Sequence, residues 1–470
     1  MKILLIRPDP GNERFGLGPF FRIEPLGIEY VAQALIAKGH EPLIVDLRFG
    51  RGLAYWLRKH RPALIGISCM HALEYDQAVE VATQARRLAP DAFVLVGGHA
   101  AAVYPGPVEV ESVDGICLDD GEEVLPALAD ALEAKRSADT VPALRLRTPD
   151  GFVNTPPLEE RTCLDLVPQP ARGLVERYRR KYHCLLFKPV WLVETARGCP
   201  YRCSFCSVWQ LNERSFRERS VAAVVDDFAA CGPHVFVADD LFWHHPERSR
   251  EIARALKQRG VRKRWVLVQS RCDLVASEPE LLEEWRAISQ DFDIFFGMEA
   301  ASNDGLHGVD KDAGLDATVA AIELSRSLRY GVVGNFLIDP DWERRHFEEL
   351  WQFVAEHDIT RTGFTLLTPL PGTEYFETVK DKVAGQPWFK YDMHHLLWEP
   401  RLGAEEFFEL YAETWRRSVL NLSGPKSIKD WARQVRPTHL PVLAKLLIQT
   451  QRLMKPREYL REHALRTAPR

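Results

Sequence analysis

Nowhere does the chain approach the roughly 18 uninterrupted apolar residues that a membrane-spanning helix requires. A soluble, cytoplasmic protein is the expectation. An excess of positive charge is also missing: 61 Lys and Arg face 66 Asp and Glu, and a formal charge of -5 offers no basic field to a nucleic acid. No export signal is read at the start, because the apolar core of Met1 to Pro8 is short and ends at a proline. The first strand-like run is not followed by GxGxxG, the main sequence sign of a dinucleotide site. Cysteine is too sparse for a disulfide framework. There are nine, an odd number with three crowded together, which fits a reducing compartment and a metal site.

Those three, Cys199, Cys203 and Cys206, directly follow an apolar run at Trp191 to Thr195. Three thiolates on one tight loop can ligate three irons of a cubane cluster and leave the fourth open. A zinc loop, or three ordinary buried thiols, is the competing reading. Structural zinc takes four protein ligands, and no second Cys/His pair at matching spacing follows.

A length of 470 residues suggests about three units. Over residues 1–137, β-branched runs alternate with helical patterns, the sign of βαβ units in an α/β, Rossmann-like domain. Strands are expected over 3–6, 43–46, 63–68, 92–96 and 116–118, with a helix over 26–37 stopped at Gly39. Ligands of such sheets bind outside the carboxyl ends of the strands. Residues 138–184, punctuated by Pro142, Pro149, Pro156, Pro157, Pro168 and Pro170, read as an ordered linker with room for short strands such as 143–147. Its basic stretch with Arg177, Arg179, Arg180 and Lys181 reads as a solvated helix face, with a phosphate or cofactor-tail contact as the alternative.

Residues 185–400 hold six further βα units, with strands expected over 191–195, 235–238, 265–268, 293–296, 332–338 and 363–366. They predict a partial parallel (β/α)6 barrel, whose chemistry sits on the loops after the strands. The cysteine loop follows the first of these strands and so belongs at the barrel mouth. Residues 401–470 form an α-helical C-terminal region, with helices over 404–420 and 440–454. The second helix carries Lys445, Arg452, Lys455 and Arg457 around its leucines. That pattern suits a cap on the barrel and also a peripheral contact with a membrane surface or a lipid substrate.

The CxxxCxxC spacing, with Phe205 just before the last cysteine, resembles the signature of the radical S-adenosylmethionine (SAM) enzymes. Pro25-Leu26-Gly27, Gly39-His40, Asp46, Ser68, Gly97-Gly98-His99 and Asp119-Asp120-Gly121-Glu122-Glu123 are similar to the cobalamin-binding domains of methyltransferases and mutases. In this order, upstream of the cysteine loop, they resemble the cobalamin-dependent radical SAM methyltransferases. The resemblance implies three cofactors: a 4Fe-4S cluster on the three cysteines, SAM, and cobalamin. For SAM it implies Tyr201, Phe205, Asp239, Asp240, Gln269, Arg271, Glu299 and Asn335. The two aspartates would meet the methionyl amine, Arg271 and Glu299 the carboxylate and ribose, and Phe205 the adenine. The turn Pro371-Gly372-Thr373 would close the far side of the site. For cobalamin it implies Ser68, His71, Gly97, Gly98, His99, Gly121 and Glu122.

The branch of this family that binds cobalt through histidine uses a DxHxxG loop, and none occurs here. A residue below the cobalt could still come from Cys69-Met70-His71. His71 is the best candidate by chemistry, with a helix-leading, hydrogen-bonding histidine as the alternative. The activity implied is methylation of an unactivated sp3 carbon: one SAM methylates the cobalamin, and a second yields a radical that opens the substrate. Such a radical needs a dry, closed barrel and an electron donor such as flavodoxin or ferredoxin. The motif from Gly16 to Pro25, the Glu194-to-Trp209 block and the length resemble the hopanoid methylases that act on ring A, which implies a small-molecule lipid substrate. A tetrapyrrole or natural-product methylase, or a cyclase, would share every motif. A non-enzymatic cobalamin or redox sensor would not need the cysteine loop at a barrel mouth.

Overall fold

The computed structural model describes residues 1–10, 18, 21–161, 163–419 and 440–463. Most of the motif from Gly16 to Phe20, and the end of the helix expected over 404–420, lie outside them.

Apolar runs build β1 (Lys2–Arg7), β2 (Glu41–Asp46), β3 (Leu64–Ser68), β4 (Phe93–Gly97) and β5 (Gly115–Cys117) into a parallel sheet of order β2-β1-β3-β4-β5. Strands covered on both faces are apolar on both faces, and here alternate residues serve different helices. Ile3, Leu5, Leu64 and Leu95 share a core with α1 (Leu26–Ala37) and α3 (Gly121–Glu133). Leu4, Ile6, Ile65, Val94 and Val96 pack with α2 (Tyr75–Leu88) on the other side.

The boundary expected at residue 137 falls inside this sheet. β6 (Leu144–Thr148) and β7 (Gly151–Asn154) continue it, both antiparallel, from β5. In β6, Leu144 and Leu146 turn inward while Arg145 pairs with Glu109 and Arg147 with Asp114. The prolines at 142, 149 and 156 flank this edge ribbon, where a missing N–H costs no ladder bond. The basic stretch forms a 3-10 helix (Arg172–Lys181). Arg180 and Lys181 are exposed as expected, but Arg179 is buried and ion-paired with Glu24, which corrects the solvated reading there. Arg172 joins it, contacting Glu24 at 2.8 Å and Asp227 at 2.7 Å.

The second sheet takes its strands in chain order. β8 (Trp191–Val193), β11 (His234–Val237), β12 (Lys263–Ser270), β13 (Ser289–Glu299), β14 (Gly331–Ile338) and β15 (Thr362–Leu366) are all parallel neighbours. The two strands skipped in this numbering, β9 (Ala196–Gly198) and β10 (Phe216–Glu218), form a separate antiparallel ribbon. Helices α4 (Val221–Ala230), α5 (Pro246–Gln258), α6 (Leu315–Ser327) and α7 (Arg344–Glu356) link barrel strands, and the sheet is an open, six-stranded barrel.

Two apolar seams join the halves. Leu192, Phe236 and Trp265 of the barrel enter the same core as Tyr30 and Tyr182. Phe376 and Val379 of α8 (Glu374–Val383) and Tyr391 pack with Tyr75 and Ala101 on the other side of the first sheet. The tail holds α9 (Ala404–Val419), α10 (Leu440–Leu453) and α11 (Pro456–His463). Buried His395 ties α11 down, with Nδ1 2.9 Å from Asp392 and Nε2 2.9 Å from Glu462. Among the described residues no helix is long and apolar enough to cross a membrane.

Candidate active site

The cysteine loop is a closed hairpin. β9 and β10 pair on either side of it, so Cys199 and Ser215 are brought together immediately beyond β8. Gly198 makes the entry, at a φ of +94° and with no room for a side chain: a Cβ there would lie 2.2 Å from the Ser215 carbonyl oxygen. Inside the hairpin the Cys203 carbonyl accepts from the Cys206 N–H and the Trp209 indole N–H, each at 3.1 Å. All three thiols are half-buried. Burial pushes each of them up, Cys206 to about 12; Cys203 adds to it for Cys199 and Cys206, while Lys311 and Arg271 oppose it at Cys203. As free thiols they stay protonated, and a bound cation is what would draw the protons off. Among the described residues no three His, Cys, Asp or Glu side chains converge on the position of one metal ion. Thiolates that serve separate irons of a cubane need no such convergence.

Of the expected SAM residues, Tyr201 and Phe205 lie on the hairpin, and the others on barrel strands or just after them. Asp239 faces the neighbouring strand. Its Oδ1 accepts from the Thr195 N–H at 2.6 Å and its Oδ2 from the Thr195 hydroxyl, so its carboxylate bridges neighbouring strands. Burial raises it to about 7. Asp240 instead lines the cavity between the two halves, where enclosure and then Glu194 push it up to about 6. Gln269 donates to the Asp239 carbonyl at 3.4 Å, and Asn335 to the Thr365 hydroxyl at 3.2 Å. Arg271 is held by Asp273 at 2.9 Å, with its guanidinium 3.7 Å from the centre of the Tyr201 ring. Glu299 sits at a φ of +61°, paired with Lys311 at 2.9 Å. Phe205 is half-buried on the hairpin. Sequence reasoning missed Lys311, which has no motif around it, and His244, whose ring lies 4.7 Å from Phe216 and 6.2 Å from Tyr201. The pair His244-His245 just after Asp239-Asp240 was the available signal.

A cavity of about 510 Å³ separates this hairpin from the carboxyl ends of the first sheet. Ser68, Gly97, Gly98, His99, Gly121 and Glu122 line it, and His71 does not. The His71 Nδ1 accepts from the Leu73 N–H at 3.3 Å and caps a short 3-10 helix, the geometry of the helix-leading alternative. Deeper in, the cavity runs between the sheet at Leu5, Gly66 and Leu95 and the helices at Val31 and Leu125. A Cβ on Gly66 would come within 2.9 Å of Leu5 and fill that slot. Gly98 has a φ of +109°, and a Cβ on it would meet the Cys69 carbonyl oxygen at 2.7 Å. Gly98→Ala should therefore displace one of the two strand-end loops at a cost of about 1–3 kcal/mol, lowering cobalamin retention roughly tenfold or more while the chain stays folded. Equilibrium dialysis against cobalamin measures it.

Charged contacts fasten the hairpin to the cavity wall. Arg197 on β9 reaches Asp120 at 3.3 Å, Glu122 at 2.5 Å and Glu194 at 2.9 Å, and Arg217 on β10 reaches Asp120 at 2.5 Å. The His99 Nε2 is 2.7 Å from the hydroxyl of Ser207, next to Cys206. At the other side, the Tyr375 N–H, two residues past the Pro371-Gly372-Thr373 turn, donates to the Ser204 carbonyl at 3.0 Å. Burial, then the nearby His71, lowers His99 to about 4. A histidine depressed in the folded state binds its proton more readily when unfolded, so its share of stability is present above about pH 6.5 and is lost as pH falls towards 4. That part of the acid limb should vanish in His99→Gln, as read from denaturation midpoints between pH 4 and 7.

Family models match residues 20–129 as a B12 binding domain and residues 193–354 as the radical SAM superfamily. The hopanoid C-3 methylase of Methylococcus capsulatus is 30% identical over 422 residues, spanning 87% of this chain and 78% of that protein. The chain belongs to the cobalamin-dependent radical SAM methyltransferases. The anaerobic magnesium-protoporphyrin IX monomethyl ester cyclase of Rubrivivax gelatinosus is 25% identical over 445 residues, 90% of this chain and 78% of that one. The cobalamin-dependent S-adenosylmethionine radical enzyme OxsB, with aqua-cobalamin and S-adenosylmethionine bound, superposes with a TM-score of 0.71 at 16% identity. That match covers 96% of this chain and 71% of OxsB, and it establishes a shared fold. For a cobalamin-dependent radical SAM methyltransferase the residues fit the cofactors. The glycine-lined cavity lies between the B12-binding half and the radical SAM half, and the three-thiol hairpin opens the radical SAM half.

Proposed function

We propose that this methyltransferase adds a methyl group at C-3, in ring A, of a hopanoid lipid. The observation that carries the reading is the 30% identity to a hopanoid C-3 methylase, sustained across both halves of the chain. Cobalamin would supply the methyl group, and SAM at the cluster the radical that abstracts hydrogen from the substrate. The protein's own part is to hold, orient and exclude. In this reading residues 1–154 cradle the cobalamin and residues 185–400 enclose SAM and the substrate. Cys199, Cys203 and Cys206 hold the cluster, and Asp240 accepts a hydrogen bond from the methionyl amine. Arg271 stacks on Tyr201 and faces the carboxylate, and the Glu299–Lys311 pair meets the ribose. The two apolar seams keep water from the radical. A flavodoxin or ferredoxin supplies the electron.

The same reading gives the tail a task. On α10, Leu440, Ala444 and Ile448 share one exposed face beside Lys445 and Arg452, a basic amphipathic surface suited to an anionic bilayer that stores the substrate. Deleting the gene in a hopanoid producer should remove ring-A methylated hopanoids, and an unchanged lipid profile would reject the substrate. The likeness to a tetrapyrrole cyclase sustains a second reading. Anaerobically reconstituted enzyme given a porphyrin ester and a hopanoid separately would decide between them, by which one yields product together with deoxyadenosine.

A further inference from the structure

The residue below the cobalt has no DxHxxG histidine to fill it, and the loop after β3 offers Cys69, Met70 and His71. The three side chains go to different places. Cys69 is fully buried, and burial, with Glu74 adding, holds its thiol far above the ordinary range. His71 turns to the Leu73 N–H and lies outside the cavity lining. Met70 lines the cavity, and at 48% exposure it is one of the few large apolar side chains left uncovered.

The backbone holds Met70 there. Its N–H donates to the Glu74 carboxylate at 2.7 Å, and Glu74 is paired with Arg7, another cavity residue, at 2.7 Å. Its Sδ lies 3.1 Å from where a Cβ on Gly98 would be, so the bare backbone of Gly98 is the space the thioether occupies. Cobalamin carrying a methyl for a substrate in the barrel must turn its reactive face towards the cysteine hairpin. The opposite face would then rest on the carboxyl ends of β3 and β4, where Met70 lines the cavity.

We propose that Met70, and not His71, is the side chain presented to the lower face of the cobalt. A thioether is neutral, a weak donor, and has no proton to lose over the working pH range. It covers the metal without the strong donation of an imidazole, and so leaves the cobalt easy to reduce for the next methyl group. This inference rests on the family and not on the hopanoid reading, and its test uses no substrate.

The test is electron paramagnetic resonance of the full chain loaded with cob(II)alamin. Wild type and His71→Ala should give identical spectra without nitrogen splitting. Met70→His should introduce the three-line nitrogen splitting of an imidazole bound below cobalt. Met70→Ala should shift the cobalt parameters as water takes the emptied space. Nitrogen splitting in the wild type that disappears in His71→Ala would overturn the proposal. So would cobalamin-loaded Met70→His and Met70→Ala proteins with wild-type spectra. If Met70→His fails to retain cobalamin, the Met70→Ala spectrum alone decides.

Discussion

Joint replacement of Cys199, Cys203 and Cys206 by alanine is expected to abolish the brown cluster absorbance and all formation of deoxyadenosine, while cobalamin still binds in stoichiometric amount. The separation follows from the geometry. None of the three cysteines lines the cavity, to which the hairpin contributes Arg197, Leu211 and Asn212. The fold does not depend on the thiols either, because the hairpin is closed by the pairing of β9 with β10 and by the bonds to the Cys203 carbonyl, which alanine keeps. Methylation should fall below detection, since without a cluster nothing cleaves SAM reductively. Absorbance at the cluster band, cobalamin content and deoxyadenosine after reduction are the three readouts. Retention of iron and deoxyadenosine by the triple variant would remove the cluster assignment.

Arg197→Ala should produce a large loss of stability at the domain boundary. The guanidinium neutralises Asp120, Glu122 and Glu194 together. Removing one partner of a buried ion pair leaves the other charges uncompensated, at about 3–5 kcal/mol. Burial already pushes Glu194 above the usual carboxylate range, with Arg197 opposing it. Without the arginine that carboxyl rises further. An acid raised in the folded state penalises folding above its unfolded pKa, so the variant should lose most stability near pH 8 and recover as pH falls towards 5. Thermal midpoints across that range measure it, and Arg197→Lys should restore part of the loss. A midpoint unchanged at pH 8 would mean that the hairpin is held without the Arg197 ion pairs. Because the same arginine joins the strand before Cys199 to the wall of the cobalamin cavity, the surviving folded fraction should also make less methylated product per deoxyadenosine.

Much of the fold was legible because parallel strands buried on both faces must be apolar runs, and the helices between them must show one apolar face. The helix over 26–37 begins and ends where its pattern does. β6 and β7 were harder, since short edge strands flanked by prolines look like a linker until their partner β5 is known. The buried Arg179 was misread for a similar reason. Its partner Glu24 lies about 150 residues earlier, and no local pattern distinguishes a paired arginine from a solvated one.

The chemistry divides along the same line. Sequence by itself determined the cysteine spacing, the order of the two halves and the missing DxHxxG loop, because ligand number and chain order are properties of the polymer. Only the tertiary structure decided which neighbouring side chain faces the site. Asp239 and Asp240 are consecutive at a strand end, yet one bonds to Thr195 and the other lines the cavity. Met70 and His71 are also consecutive, and the metal-binding residue type is the one turned away. Adjacent residues at a strand end point in different directions, and which of them meets the ligand depends on what the rest of the fold offers the other.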